Sequence, residues 1–116
     1  MTPLRILFVC SRNQWRSPTA EAIYRNDPRI EARSAGTSAA ARCRVTATLL
    51  RWADLVLVME HEHKQRLRDQ FPNELRDVEV AVLDIPDDYQ PMDPELIELL
   101  RERVEPWIDR GSDTPV

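Results

Sequence analysis

Between Phe8 and Ile23 the chain reads FVCSRNQWRSPTAEAI, and two residues in it can do chemistry together: Cys10, which ends an apolar run, and Arg16, which precedes Ser17 and Pro18. A loop that leads from a strand end into a helix N-terminus turns several backbone N–H groups inward. The helix dipole adds partial positive charge, so such a loop is an anion cradle. A cysteine at its base is stabilised as the thiolate, the nucleophilic form. Arg16 carries a planar fork that matches two oxygens of a phosphate, and Ser17 can donate its hydroxyl hydrogen to the thiolate and later to the departing sulfur. Thiolate, guanidinium and inward amides together describe phosphoryl transfer through a cysteinyl-phosphate. The expected phosphate-binding stretch is Cys10, Ser11, Arg12, Asn13, Gln14, Trp15, Arg16 and Ser17. The competing reading makes Cys10 a small core hydrophobe and Arg16 a surface charge; the strand-loop-helix setting weighs against it.

That setting is visible in the hydrophobic pattern. LRILFV (4–9) and DLVLVM (54–59) are near-continuous apolar runs, as in strands covered on both faces. Shorter strands are predicted around 30–34, ending at Gly36, and over 78–85. Helices are predicted from Ser17 as N-cap with Pro18 at the first helical position to about Asn26, over 45–53, over 63–71, and from Asp93-Pro94 onward with the stripe Leu96, Ile97, Leu99, Leu100 and Val104. The alternation predicts an α/β fold: an open, mostly parallel four-stranded sheet with helices on both faces. In such sheets ligands bind at the carboxyl ends of the strands, which directs attention to residues 10–16, 59–61 and 84–93.

The 116 residues fit one domain over 1–110, with a frayed tail over 111–116. The N-terminal apolar run is too short for a signal peptide, no stretch is long enough to span a membrane, and two cysteines make no disulfide framework; a cytoplasmic protein is expected. The formal charge of -4 is uneven. Residues 1–53 hold nine arginines against Glu21, Asp27 and Glu31 (+6), whereas residues 54–116 hold seven basic and seventeen acidic side chains (-10). The basic half contains the cysteine loop and favours an anionic ligand. Nucleic acid is not an expected partner, because the total is acidic and the arginines lack interleaved aromatics.

VCSRNQWRSPTAEAI resembles the phosphate-binding loop and first helix of the low-molecular-weight protein tyrosine phosphatases, V-C-x-G-N-x-C-R-S-P-x-A-E. The resemblance continues with SAGT (34–37), VT at 45 and 46, a strand ending in Met59-Glu60, and an acidic loop before the last helix. It implies that Cys10 is the nucleophile, that Arg16 binds phosphate, that Asn13 braces the loop and that Ser17 assists the thiolate. The implied activity is hydrolysis of phosphotyrosine in a protein, or of a small aryl phosphate, with no cofactor. The chain departs from the pattern at Arg12, which stands on the family's glycine, at Trp15, which stands on its second cysteine, and at residues 38–44, where a helix usually intervenes.

A leaving phenolate needs a proton, so a carboxylic acid is expected beside the cradle. IPDDYQPMDPEL (85–96) follows Asp84 and offers Asp87 and Asp88. Ungapped counting from the last helix sets Asp87 on the family's acid and Tyr89 on its tyrosine. Asp87 is the expected general acid, Asp84 the runner-up and Asp88 the third; Trp15 and Tyr89 are expected to wall the substrate. His61 and His63, two apart, do not form a zinc motif, and a solvated helix start is expected instead, with no metal. Cys43 is read as a lone loop thiol. Two rival functions remain at this stage: a thiol-dependent arsenate reductase with Cys43 as resolving cysteine, and an attenuated phosphate- or phosphoprotein-binding module.

Overall fold

The two unbroken apolar runs become the two central strands. The computed structural model describes residues 2–112, which run β1 (Leu4–Cys10), α1 (Arg16–Tyr24), β2 (Ile30–Gly36), α2 (Ala47–Trp52), β3 (Leu55–Val58), α3 (His61–Gln70), a 3₁₀ turn (Glu74–Arg76), β4 (Glu79–Val82) and α4 (Pro94–Ser112). The sheet order is β2-β1-β3-β4 and every pairing is parallel, with Ile6 opposite Leu55 and Cys10 opposite Gly36. The expected sheet is therefore found, wholly parallel. Because β2 lies on one side of β1 and β3 on the other, the chain reverses its direction of winding at the β1/β3 junction, and a crevice opens outside their carboxyl ends. Cys10 and Glu60 stand there.

Alternate residues of β1 supply two cores. Ile6, Phe8 and Cys10 face α1 and α4 and pack with Tyr24, Leu96, Leu100, Val104 and Ile108. Leu7 and Val9 face the other way, onto Leu50 of α2 and Leu67 of α3. Each of these residues is essentially sealed from water, and each buried aliphatic side chain of this size contributes about 1.5–3 kcal/mol.

Several predicted boundaries shift, for physical reasons. α1 starts at Arg16, with Trp15 as N-cap and no side-chain cap bond; Ser17 is not the cap, because its hydroxyl turns to Cys10 and Asn13. α2 is shorter than 45–53, since the Thr46 side chain accepts from Leu49 N and fixes the start. α3 begins two residues earlier than expected, because Glu60 and His63 form a reciprocal capping box. α4 continues through Gly111 to Ser112, so the expected fraying does not begin at Gly111; the rest of that predicted tail, 113–116, lies outside the described residues. No described helix is long and apolar enough to cross a membrane.

The turn after α1 is tied to α4 by charge. Arg29 donates to Asp27 at 2.7 Å and to Glu105 at 2.9 Å, and the Tyr24 hydroxyl donates to Glu105 at 2.7 Å. The Arg29 bonds hold both carboxyls below their usual range. A carboxylate with a depressed native pKa stabilises the fold above its unfolded pKa, and that contribution disappears as pH falls through the native value. We expect the urea midpoint to fall below about pH 5, the upper edge of the carboxylate range, and Arg29→Gln to show a shallower fall; superimposable acid limbs would mean that the cluster contributes nothing.

Candidate active site

The loop between β1 and α1 is shaped by where its carbonyls go. Cys10 O accepts from Thr37 N at 3.0 Å, Ser11 O from Ser38 N at 2.8 Å and Arg12 O from Arg42 N at 3.0 Å. The short segment 37–42 thus clamps the loop from behind. All peptides are trans, and in a trans peptide N–H and C=O point in opposite directions. The N–H groups of Ser11, Arg12 and Asn13 are therefore turned away from the clamp, and none of the N–H groups of residues 11–15 donates to another described residue. A row of free donors next to a helix N-terminus is what an anion requires.

One residue of the loop takes a left-handed conformation, Asn13 at φ 55°, which asparagine tolerates better than most residues. Arg12, on the position where the resembling family has glycine, is not among the positive-φ residues. Its side chain needs no unusual backbone and extends into solvent. Asn13 is buried and donates from Nδ2 to Ser17 Oγ at 2.9 Å and to Ser34 Oγ at 3.0 Å. Ser17 Oγ lies 2.9 Å from Cys10 Sγ. Since Ser17 accepts from Asn13, its own hydrogen is free to point at the sulfur.

A cavity of about 410 Å³ opens in front of the loop, lined by Cys10, Ser11, Arg12, Gln14, Trp15, Arg16 and Asp87. Six of the eight residues predicted for phosphate binding line it; Asn13 and Ser17 stand behind as braces. Arg16, 3% exposed, donates from Nη1 to a Glu60 carboxylate oxygen and, at 2.8 Å, to the Ile85 carbonyl. Nε and Nη2 remain for the cavity, and Nε lies 3.6 Å from Asp87. Asp87 is the only one of the three candidate aspartates to line the cavity. Asp84 sits 3.6 Å from His61 instead, and Asp88 is exposed outside the lining. Tyr89 does not wall the cavity as expected: it packs half-buried on the α1/α4 core.

Two residues of the site escaped the sequence reading. His63, expected at a solvated helix start, is fully buried. Its Nδ1 accepts from Glu60 N at 3.0 Å, so Nε2 carries the proton and donates to Ser11 Oγ at 2.9 Å. Burial, then the nearby Arg16 charge, pushes its pKa below the usual histidine value, and the ring is neutral at neutral pH. Glu60 was noted only as the end of a strand; its capping box with His63, an E-x-x-H spacing, was the available signal. Cys43 is exposed and lines a different cavity from the one that Cys10 lines. Among the described residues no cluster of His, Cys, Asp and Glu could hold a metal.

Comparison with known proteins agrees with this geometry. The family model "Low molecular weight phosphotyrosine protein phosphatase" matches residues 5–49. The protein-arginine-phosphatase of Bacillus subtilis (strain 168) is 33% identical, over 57% of this chain and 62% of its own length; the chain thus matches less than two thirds of that relative. The tyrosine phosphatase Wzb from Escherichia coli K30, solved in complex with phosphate, superposes with a TM-score of 0.73 at 25% identity, covering 94% of this chain and 99% of its own. The YwlE arginine phosphatase from Geobacillus stearothermophilus superposes with a TM-score of 0.65 at 27% identity, covering 96% and 92%.

Two measurements test the architecture of the loop. A Cβ on Gly36 would lie 2.5 Å from Ser11 O and 2.7 Å from Ala41 Cβ, so Gly36→Ala should cost about 1–3 kcal/mol in urea unfolding and weaken inorganic phosphate binding in calorimetry; unchanged values for both would show that loop and clamp are not tightly packed. A histidine with a depressed native pKa stabilises the fold fully above its unfolded pKa, near 6.5, and that contribution declines as pH falls through the native value. Wild type should lose thermal stability on acidification below about pH 6.5, and His63→Phe should lack that step; an identical step in the variant would exclude His63 as its origin.

Proposed function

We propose that the chain is a member of the low molecular weight phosphotyrosine protein phosphatase family, whose model matches residues 5–49, and that it hydrolyses aryl phosphate monoesters, phosphotyrosine in a protein foremost, through a cysteinyl-phosphate on Cys10. One observation carries the reading: Cys10, the free loop amides and Arg16 converge on one cavity, with Ser17 2.9 Å from the sulfur. In the proposed reaction the amides and the Arg16 fork hold the three non-bridging oxygens. Cys10 Sγ forms a bond to phosphorus as the bond from phosphorus to the aryl oxygen breaks. Asp87, in its protonated form, gives its proton to the departing oxygen. Its carboxylate then takes a proton from a water whose oxygen attacks phosphorus, and Cys10 leaves as a thiolate steadied by the Ser17 hydroxyl. Asp87 is preferred to Asp84 and Asp88 because it alone of the three lines the cavity.

The similar proteins include tyrosine and arginine phosphatases, and the wall of this cavity favours the aryl substrate. Trp15 offers an exposed indole face on which a phenyl ring can pack. Arg12 lines the same wall, and its guanidinium repels the guanidinium of a phosphoarginine. The proposal includes a cytoplasmic setting, where a free Cys10 thiol is kept reduced, and a phosphorylated protein as partner.

The test is hydrolysis of p-nitrophenyl phosphate, a phosphotyrosine peptide and a phosphoarginine peptide by wild type, Cys10→Ser, Asp87→Asn and Asp84→Asn. We expect no turnover with Cys10→Ser, a kcat about 10²–10⁴ lower with Asp87→Asn, near wild-type rates with Asp84→Asn, and kcat/KM higher for the aryl substrates than for phosphoarginine. Equal rates in wild type and Cys10→Ser would sink the reaction; a fall with Asp84→Asn alone would transfer the acid role; a phosphoarginine preference would overturn the substrate class.

A further inference from the structure

Behind the loop lies a second cavity, of about 470 Å³, whose lining includes Asn13, Glu21, Arg25, Arg33, Arg42 and Cys43. Arg12 and Gln14 line the first cavity while Asn13, between them in sequence, lines the second, so the two cavities adjoin the same loop. Three guanidiniums surround the second cavity, all on exposed residues, and among the described residues none of the three forms an ion pair. Arg33 is held over the Trp52 ring, 4.5 Å from its centroid, which fixes its position without neutralising it. The one acidic residue in the lining, Glu21, has Oε1 engaged by the Ser34 hydroxyl.

We propose that this arginine cavity is an exosite for an acidic segment of the phosphoprotein substrate, receiving carboxylates that flank the scissile phosphotyrosine. The inference rests on the phosphatase reading for the first cavity. Residues two apart along a chain lie within about 7 Å, and extended chain advances about 3.3 Å per residue. A substrate strand crossing the rim of the loop therefore presents residues roughly two to four positions from the phosphotyrosine to Arg25, Arg33 and Arg42. Guanidinium pairs well with carboxylate, and rim charges act through encounter rate and orientation, with strong dependence on ionic strength. The concentration of positive charge in residues 1–53 acts in the same direction.

Two phosphotyrosine peptides test this, one with glutamates at the second to fourth positions on both flanks and one with glutamines there. Wild type should hydrolyse the acidic peptide with a kcat/KM about tenfold higher at low salt, from several exposed pairs of modest individual strength, and the difference should shrink at high salt. The double variant Arg25→Gln, Arg33→Gln should lose most of the preference while its rate on p-nitrophenyl phosphate stays unchanged. Because Arg33 packs on Trp52, the single variant Arg25→Gln is run alongside and should show a partial loss. Equal rates for the two peptides in wild type, or a preference retained in both variants, would overturn the exosite. Fluorescence anisotropy of the same labelled peptides on Cys10→Ser keeps the two readings separable. A chain that turns over no aryl phosphate refutes the phosphatase reading, whereas equal binding of the two peptides refutes the exosite.

Discussion

A guanidinium buried at the edge of a parallel sheet is the constraint around which the rest is organised. Arg16 is 3% exposed, and a buried charge that loses its partners costs about 3–5 kcal/mol. Its acceptors come from distant parts of the chain: the Glu60 carboxylate just after β3 and the Ile85 carbonyl beyond β4. Holding Arg16 therefore holds the carboxyl ends of three strands in mutual register. Ile85 N in turn donates to Met59 O at 2.9 Å, and Met92 N donates to Thr19 Oγ1 at 3.1 Å. These bonds fix both ends of the segment that carries Asp87, so an exposed carboxylate is kept within 3.6 Å of the guanidinium without being buried itself.

The same logic of satisfied acceptors governs the loop. Its carbonyls are used by segment 37–42, its amides are left free, and the clamp approaches so closely that only glycine fits at position 36. The abbreviated segment 38–44 is thus a working part of the cradle. His63 extends the bracing from the opposite side, its Nε2 bonding Ser11 while Nδ1 binds the Glu60 amide. One residue pair, Glu60 and His63, caps α3 and supports both the guanidinium and the loop.

What could be read in advance followed from local pattern. LRILFV and DLVLVM declared two buried parallel strands, and the spacing from Cys10 to Arg16 pointed to a loop that lines a cavity at the sheet edge, because apolar runs and loop lengths depend on near neighbours. The failures have one physical origin, side chains recruited by partners far away in sequence. Ser17 before Pro18 looked like a helix cap, yet its hydroxyl is bonded to a sulfur seven residues back and to Asn13. HEHK looked like a solvated helix start, yet His63 is turned inward to a serine 52 residues away. Tyr89 looked like a substrate wall by counting from the last helix, but an aromatic ring beside an open apolar core packs into it. In each case local spacing identified a polar or aromatic group correctly and could not say which partner it would reach.

The two departures from the family pattern separate chemistry from selection. A glycine in a phosphate loop can be required by backbone conformation or merely by space. Here the left-handed position is Asn13, one residue later, so the side chain at Arg12 projects into solvent at no conformational cost. Trp15 caps α1 with its backbone and leaves its ring exposed. Both substitutions therefore alter the lining of the cavity and leave the loop amides and Arg16 in place. In the reading proposed above, changes of side chain at 12 and 15 redirect which ester enters without removing the groups assigned to phosphate, because those groups are main-chain amides and a different side chain of the same cavity.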